Sequence, residues 1–371
     1  MEEPGGTDVT NAIKLGVLAP EEFRIPPAKE MAKYKLPDRW KSCWQIANSV
    51  LPFCGLWYLM YLSSFWSYFL TLALAIPAAG FVVRIFIIQH DCGHHSFFRN
   101  RRTNDVLGTL CGFLTLTPYH FWKRTHSRHH ASSGDLNHRG HGDVGILTVD
   151  EYLSRSRLGR LKYRVYRHPL ILFVFGASYL FLIQQRTTFS LPRSWRRERM
   201  SVHLTNAGLL AMVAFGWYTI GLTSFLSIHL PIFVLAAAIG SWLFYVQHQF
   251  EDAYWQPHET WEFSRSAMEG SSYYRLPRVL QWFTGNIGFH HIHHFDSRIP
   301  NYNLAGCYAA EPAFQQAVTF GIRDSLKCTR MKLWDEKRQR MAPFADAHIA
   351  VPKSDQDLVQ ATSPTKTRRA A

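Results

Sequence analysis

Acidic side chains are scarce in this 371-residue chain: 27 Asp and Glu face 41 Lys and Arg, a formal charge of +14. Such an excess suits nucleic acid, an anionic membrane surface or an acidic partner. No nucleic-acid-binding motif is present, which leaves the last two. Cysteine is also sparse. Cys43, Cys54, Cys92, Cys111, Cys307 and Cys328 form no Cys-x-x-Cys pair and no regular framework. They read as isolated thiols in a reducing compartment, not as disulfide staples. There is no internal repeat and no signal peptide. The first 43 residues are polar, with seven basic and seven acidic side chains, so the first membrane helix must direct insertion. From about residue 345 the chain has no aromatic residue and is rich in Ser, Thr, Pro, Asp and Lys, the composition of a disordered tail.

Charge is nearly absent from four long apolar stretches, at about 44–63, 66–89, 204–224 and 229–248. About 20 helical residues at ~1.5 Å each cover the ~30 Å hydrocarbon core of a bilayer. The expectation is an all-α polytopic membrane protein with four transmembrane helices and a cytosolic helical cap. Residues 1–43 form a cytosolic N-terminal segment, 44–344 the main domain and 345–371 the tail. Turns are expected near Ser63-Ser64 and near Ser227, and neither carries Lys or Arg. The intervening loop, 90–203, is rich in Arg, so the positive-inside rule places it and both termini in the cytosol. Trp57, Tyr58, Tyr61, Trp66 and Tyr68 then form an aromatic belt at the far interface. A fifth apolar stretch, 170–184, is short for a span, and a crossing there would separate the histidine clusters described next. It reads as a re-entrant or surface-lying helix, with a buried cap helix as the alternative. Arg84 reads as a side chain snorkelling to the cytosolic interface.

Histidine is what the chain has in excess. His90-Asp-Cys-Gly-His94 is followed by His95; His126-Ser-Arg-His129-His130 and His290-His-Ile-His293-His294 share the pattern His-x-x-His-His. With 19 His in 371 residues, chance supplies about 0.05 copies of that pattern, so two copies signal chemistry. Imidazole binds Fe, Cu, Ni and Zn, and eight or so imidazoles exceed the needs of one four-coordinate zinc, which suggests two metals. His90 and His94 share a helix face. His95 is rotated by about 100° and is held as a reserve ligand. Asp91 is either an acceptor that fixes an imidazole tautomer or a plain helix-end charge. The triplets His126/His129/His130 and His290/His293/His294 can each hand three imidazoles to one or two ions. His248 closes the fourth apolar stretch at the depth where His90 closes the second, which favours a ligand role over a cap. His138 and His141 lack the spacing, and the other single histidines are given ordinary structural roles.

The three clusters resemble the histidine boxes of the membrane fatty acid desaturase family, HxxxH, HxxHH and HxxHH. The likeness extends to His90-Asp-Cys-Gly-His94-His-Ser-Phe-Phe98, to His129-His-Ala-Ser-Ser-Gly-Asp-Leu136 with Gly142-Asp143 and Leu147-Thr-Val149, to Gly270-Ser-Ser-Tyr-Tyr274 and Gly285-Asn-Ile-Gly-Phe289, and to Ser297-Arg-Ile-Pro-Asn-Tyr-Asn-Leu304. It covers roughly residues 30–340, and the boxes are most similar to those of acyl-lipid desaturases of the Δ12 (ω-6) type. The resemblance implies two non-haem irons, O2 as co-substrate, and removal of two hydrogens to leave a cis alkene. By motif the ligands are His90, His94, His126, His129, His130, His290, His293 and His294, with His248 similar to an extra ligand at the end of the fourth span. Related acyl-CoA enzymes carry, four residues before that histidine, an Asn that holds a water on the metal. Phe244 stands there in this chain, and Asn286 is a substitute candidate or a helix cap.

The substrate is then a membrane lipid or other acyl group. No Pro-Gly-Gly haem motif of a fused cytochrome b5 domain is present, so electrons come from a separate ferredoxin or cytochrome b5 with its reductase. An Arg-rich surface (Arg155, Arg157, Arg160, Arg164, Arg167, Arg193, Arg196, Arg197, Arg199) suits anionic headgroups and, second to that, an acidic electron carrier. Rival readings keep the scaffold and change the product, to a fatty acid hydroxylase, an acetylenase or a carotenoid oxygenase. A metal transporter ranks far behind, because the histidines sit at span ends with fixed spacing.

Overall fold

The computed structural model describes residues 28–140 and 144–348. Residues 1–27, the stretch His141 to Asp143, and the tail from 349 onward lie outside the described residues. Four helices are long and apolar enough to cross a membrane: Arg39–Ser64, Tyr68–Gly93, Arg196–Ile220 and Leu222–His248. They match the four expected stretches with shifted ends. Hydropathy marks only the part in hydrocarbon, whereas a helix continues into water wherever its ends are capped. Asp38 caps the first span by accepting from the Trp40 and Lys41 amides, at 2.8 and 3.1 Å. Ser67 caps the second by accepting from Leu70 N–H. The second span is the central one: 61% of its apolar window is buried, against 22% for the first and third.

The turn between the last two spans falls at Gly221, not near Ser227. Gly221 has φ +83°, which glycine adopts at little cost. Ser227 stays helical because its hydroxyl bonds back to the Ser224 carbonyl at 2.9 Å. Just before the turn, a Cβ on Gly216 would overlap the Phe225 ring, so the two helices approach there without a side chain between them.

The apolar stretch 170–184 is a π-helical turn, Ile171–Gly176, followed by Ala177–Leu182 and a 3-10 turn, Gln184–Arg186. It is bent by 69° from the preceding helix Arg157–Tyr166. Phe173 packs edge-on against Trp242 and Tyr245 of the fourth span, at 5.2 and 5.1 Å. Phe175 and Tyr179 face outward.

Short pieces of strand stitch the cap. Leu147–Thr148 runs parallel to Leu333–Asp335, which pairs antiparallel with Arg340–Ala342; Tyr273–Tyr274 runs parallel to Thr319–Phe320. The folded chain also runs past the expected start of the tail. Phe344–His348 forms a 3-10 turn with Ala347 buried, because Phe344 packs on Tyr152 and Tyr163.

Two arginine readings are corrected. Arg167 does not belong to a surface: it is fully buried and donates to the Gly145 and Met331 carbonyls, to Tyr245 Oη and to Gln249 Oε1. It thereby ties the end of the fourth span to the C-terminal strands. Arg84 does not snorkel. It is 6% exposed, stacks over the Trp282 ring at 3.9 Å, and donates to the Trp282 carbonyl and to Asn48 Oδ1. A partner 198 residues away clamps the segment before the third histidine cluster onto the second span. Arg84→Ala leaves a buried carbonyl unpaired and should cost ~1–3 kcal/mol, seen as a lower melting temperature of the detergent-solubilised chain. Arg84→Lys should recover only part of it, because an ammonium cannot both stack and fork.

Candidate metal centre

Each cluster is delivered by a helix end. His90 lies in the last turn of the second span and His94 caps it. The second cluster lies on the helix Tyr119–Ser132, the third on His290–Phe295, and His248 is the last residue of the fourth span. Nine imidazoles converge in two groups. One holds His90, His94, His126, His130 and His293; the other holds His129, His248, His290 and His294. Within each group the potential ligand atoms lie within 4.8 Å of one another. Both His-x-x-His-His triplets split between the groups. His126 and His130 share a helix face and serve the first, while His129, about 100° round the helix, serves the second. His293 and His294 divide in the same way. The groups touch where the His130 and His294 rings stack at 4.2 Å.

The donor set fits metal ions. Nε2 of His248 lies 2.9 Å from that of His290 and 3.2 Å from that of His129; Nε2 of His130 lies 3.0 Å from that of His293 and 3.1 Å from that of His126. His248 Nδ1 donates to the Gly270 carbonyl at 3.1 Å, so its Nε2 carries a lone pair and cannot donate to either neighbour. His94 Nε2 is buried without a hydrogen-bond partner. Burial, with lesser help from neighbouring imidazoles, holds His126, His130, His290, His293 and His294 well below the ordinary imidazole range. They are neutral at physiological pH, the state that ligates metals. Converging lone pairs in a buried site are relieved by a divalent cation.

His95 stands outside both groups. Its φ of +56° turns the chain away after His94, and its Nε2 lies 3.1 Å from Asp105 Oδ1 and 2.6 Å from Lys123 Nζ. Asp91 accepts from His90 Nδ1 at 3.2 Å, which leaves His90 Nε2 as the ligating atom. Its other oxygen accepts from the backbone and side-chain amides of Asn301, at 2.7 and 2.8 Å. Asn286 does not face the imidazoles. It takes a left-handed turn at φ +57°, donates to the Asn301 carbonyl and accepts from Gln281 Nε2, both at 3.2 Å. It acts through Asn301, then Asp91, on His90. Phe244 packs on His129 and His248 at 5.0 and 5.2 Å, so an apolar wall stands where an amide would otherwise reach the second group.

Asn301, the Gly270 carbonyl and Trp122, which stacks on His126 at 4.5 Å, are roles the sequence reading missed. Their partners are distant in sequence, and no spacing signals them. Asp135, His138 and His258 form a third, more exposed group. Both imidazole Nδ1 atoms lie 2.7 Å from Asp135 Oδ2, as in hydrogen bonds, and the trio clasps the loops at 135–138 and 256–258. Burial alone would raise the Asp135 pKa; the two histidine hydrogen bonds outweigh it and hold the carboxyl below its ordinary range.

Fold and site together define a polytopic membrane scaffold built around a candidate two-metal centre of histidines. The family model for fatty acid desaturases matches residues 63–321, and the chain belongs to that family, whose members are oxidoreductases. It is 46% identical over 324 residues to a fatty acid desaturase of Bacillus subtilis, covering 87% of this chain and 92% of that one. It is 25% identical over 223 residues to the sn-1 oleoyl-lipid 12-desaturase of a Synechocystis species, covering 59% and 62%. It is 26% identical over 227 residues to an sn-1 acyl-lipid omega-3 desaturase (ferredoxin) of a Nostoc species, covering 59% and 61%.

Asp91→Asn should keep the fold and loosen His90, lowering metal retention against a chelator about 10–100-fold. Unchanged retention would reduce Asp91 to a helix-end charge.

Proposed function

We propose that this chain is an O2-dependent acyl-lipid desaturase that places a cis double bond in a lipid-linked acyl chain, with Δ12 (ω-6) regioselectivity. The observation that carries this reading is the division of nine imidazoles, six buried and three half-buried, into touching groups of five and four. His90, His94, His126, His130 and His293 would hold one iron; His129, His248, His290 and His294 the other. Bound there, the irons supply the means to reduce O2 at the expense of an unactivated C–H bond. The overall change balances as –CH2–CH2– plus O2, two electrons and two protons, giving –CH=CH– and two waters.

The protein's own residues set the conditions. Asp91 and the Gly270 carbonyl hold the protons of His90 and His248 on Nδ1, so that both Nε2 atoms face inward. Trp122 and Phe244 wall the two groups with aromatic surface and exclude water from them.

The three clusters can meet only if an even number of crossings separates them. The bent segment 157–186 is therefore read as re-entrant, and the Arg-rich loop places the centre and both termini on the cytosolic side. An acyl chain then enters from the lipid, and electrons arrive from a separate ferredoxin or cytochrome b5. The ferredoxin in the name of the Nostoc relative supports the first of these. Exposed Arg155, Arg157, Arg193, Arg196 and Arg197 suit the headgroup region and an acidic donor.

The test is fatty-acid analysis by gas chromatography and mass spectrometry, with double-bond derivatisation, of a host expressing the chain beside its His129→Ala variant. The wild type should yield a new cis-unsaturated acid and the variant only the host profile. A hydroxy acid or an alkyne would move the chain to the hydroxylase or acetylenase reading. A host profile from both, with protein in the membrane and a donor supplied, would overturn the proposal.

A further inference from the structure

Arg186 ends the bent apolar segment and has no role in the centre described above. Its guanidinium donates to the Leu116 carbonyl through Nη2 at 2.5 Å, while Nε and Nη1 are buried with no hydrogen-bond partner. Among the described residues no carboxylate forms an ion pair with it. Asn206 of the third span donates to the Arg186 carbonyl at 2.7 Å, and its own Oδ1 is buried and unpartnered, as is Oε1 of the buried Gln185. Gln185, Arg186 and Asn206 thus each leave a buried polar atom unpartnered around the wedge between the 3-10 turn Gln184–Arg186, the third span and the turn at Leu116. A guanidinium is always charged, and a buried charge without a counter-ion is unfavourable.

The surroundings indicate what supplies the counter-ion. Next to the wedge, Phe189 is 96% exposed, and Tyr179 and Ile183 are each 55% exposed, in a segment whose other face packs on the fourth span. Such side chains are at home in lipid. Ten residues beyond Arg186 the third span begins, with Arg193 and Arg196 exposed near its start. The wedge therefore lies at the boundary between hydrocarbon and headgroups. The turn that meets Arg186 is also held to the first histidine cluster. Gln89, next to His90, donates to the Thr117 carbonyl at 3.3 Å and accepts from Thr115 Oγ1 at 2.5 Å.

We propose that Arg186, through its two unpartnered nitrogens, seats a phosphate group, and that the phosphate belongs to a membrane phosphoglycerolipid. A tetrahedral oxyanion offers several acceptors to one guanidinium and neutralises its charge, which a water molecule cannot do. The seat stands independently of the double-bond position and of the identity of the metal.

The test uses the full chain, purified in mild detergent and delipidated, with lipid binding followed by native mass spectrometry. The probes are dioleoylphosphatidylglycerol, dioleoylglycerol, which lacks the phosphate, and sodium phosphate. Wild type should retain a single phosphatidylglycerol and no dioleoylglycerol. Arg186→Gln should weaken that binding at least about tenfold, whereas Arg323→Gln, exposed on the helix Ile322–Cys328 and outside the basic surface, should change it less than about twofold. Arg186→Lys, which keeps the charge and loses the planar fork, should fall between. Sodium phosphate that binds wild type but not Arg186→Gln, with no preference for the phospholipid, would keep the phosphate seat and overturn its lipid source. Equal binding of dioleoylglycerol and phosphatidylglycerol by wild type would overturn the proposal even if the Arg186 variants fail to fold, as would wild-type binding by Arg186→Gln.

Discussion

The structure depends on the meeting of imidazoles at the ends of its helices. Nine of them, drawn from three distant segments and the end of a span, lie in two touching groups. Burying so many nitrogen lone pairs against one another is unfavourable unless something binds them. The convergence also constrains the membrane part. Two helical hairpins, Arg39–Ser64 with Tyr68–Gly93 and Arg196–Ile220 with Leu222–His248, bring the second and fourth spans back to the same side. A single added crossing between the second and third clusters would pull the centre apart. This requirement, more than hydropathy, decides how the bent segment 157–186 is read.

Around the imidazoles, order is imposed by polar contacts between parts of the chain far apart in sequence. Gln281 holds Asn286, Asn286 holds Asn301, Asn301 holds Asp91, and Asp91 orients His90. Gly270 does the same for His248. Arg84 clamps Trp282 to the second span, and Arg167 joins the end of the fourth span to the C-terminal strands. His90, Asp91, Asn301, His248, Arg84 and Arg167 are buried and would be costly alone; held together, these contacts fix helix ends that would otherwise fray. A centre with ligands on helix termini needs such bracing, because a small error in any terminus misplaces an imidazole.

Much of this was legible in the sequence because it is periodic. Apolar runs of bilayer length marked the spans, and His-x-x-His-His on a helix puts two imidazoles on one face and the third beside it. The conclusion that one triplet serves two groups follows from the same 3.6-residue period. What stayed hidden was set by contacts at long range or by single backbone angles. The positive φ of His95 removes it from the cluster. The turn expected at Ser227 lies at Gly221, because a serine in an apolar helix can satisfy its hydroxyl locally. Arg84 and Arg167 looked like interface and surface charges, since their carbonyl partners lie 198 and 164 residues away. Polar composition beyond residue 345 concealed a last turn held by Phe344.

Whether the two groups of imidazoles hold two irons is best decided by iron analysis with Mössbauer spectroscopy on the purified full chain, beside His293→Ala and His294→Ala. Those neighbours belong to different groups. The account predicts two irons per chain in two distinguishable environments, because five and four imidazoles surround them. It also predicts that each variant weakens a different one. A single metal per chain, or two variants that lose the same site, would contradict it.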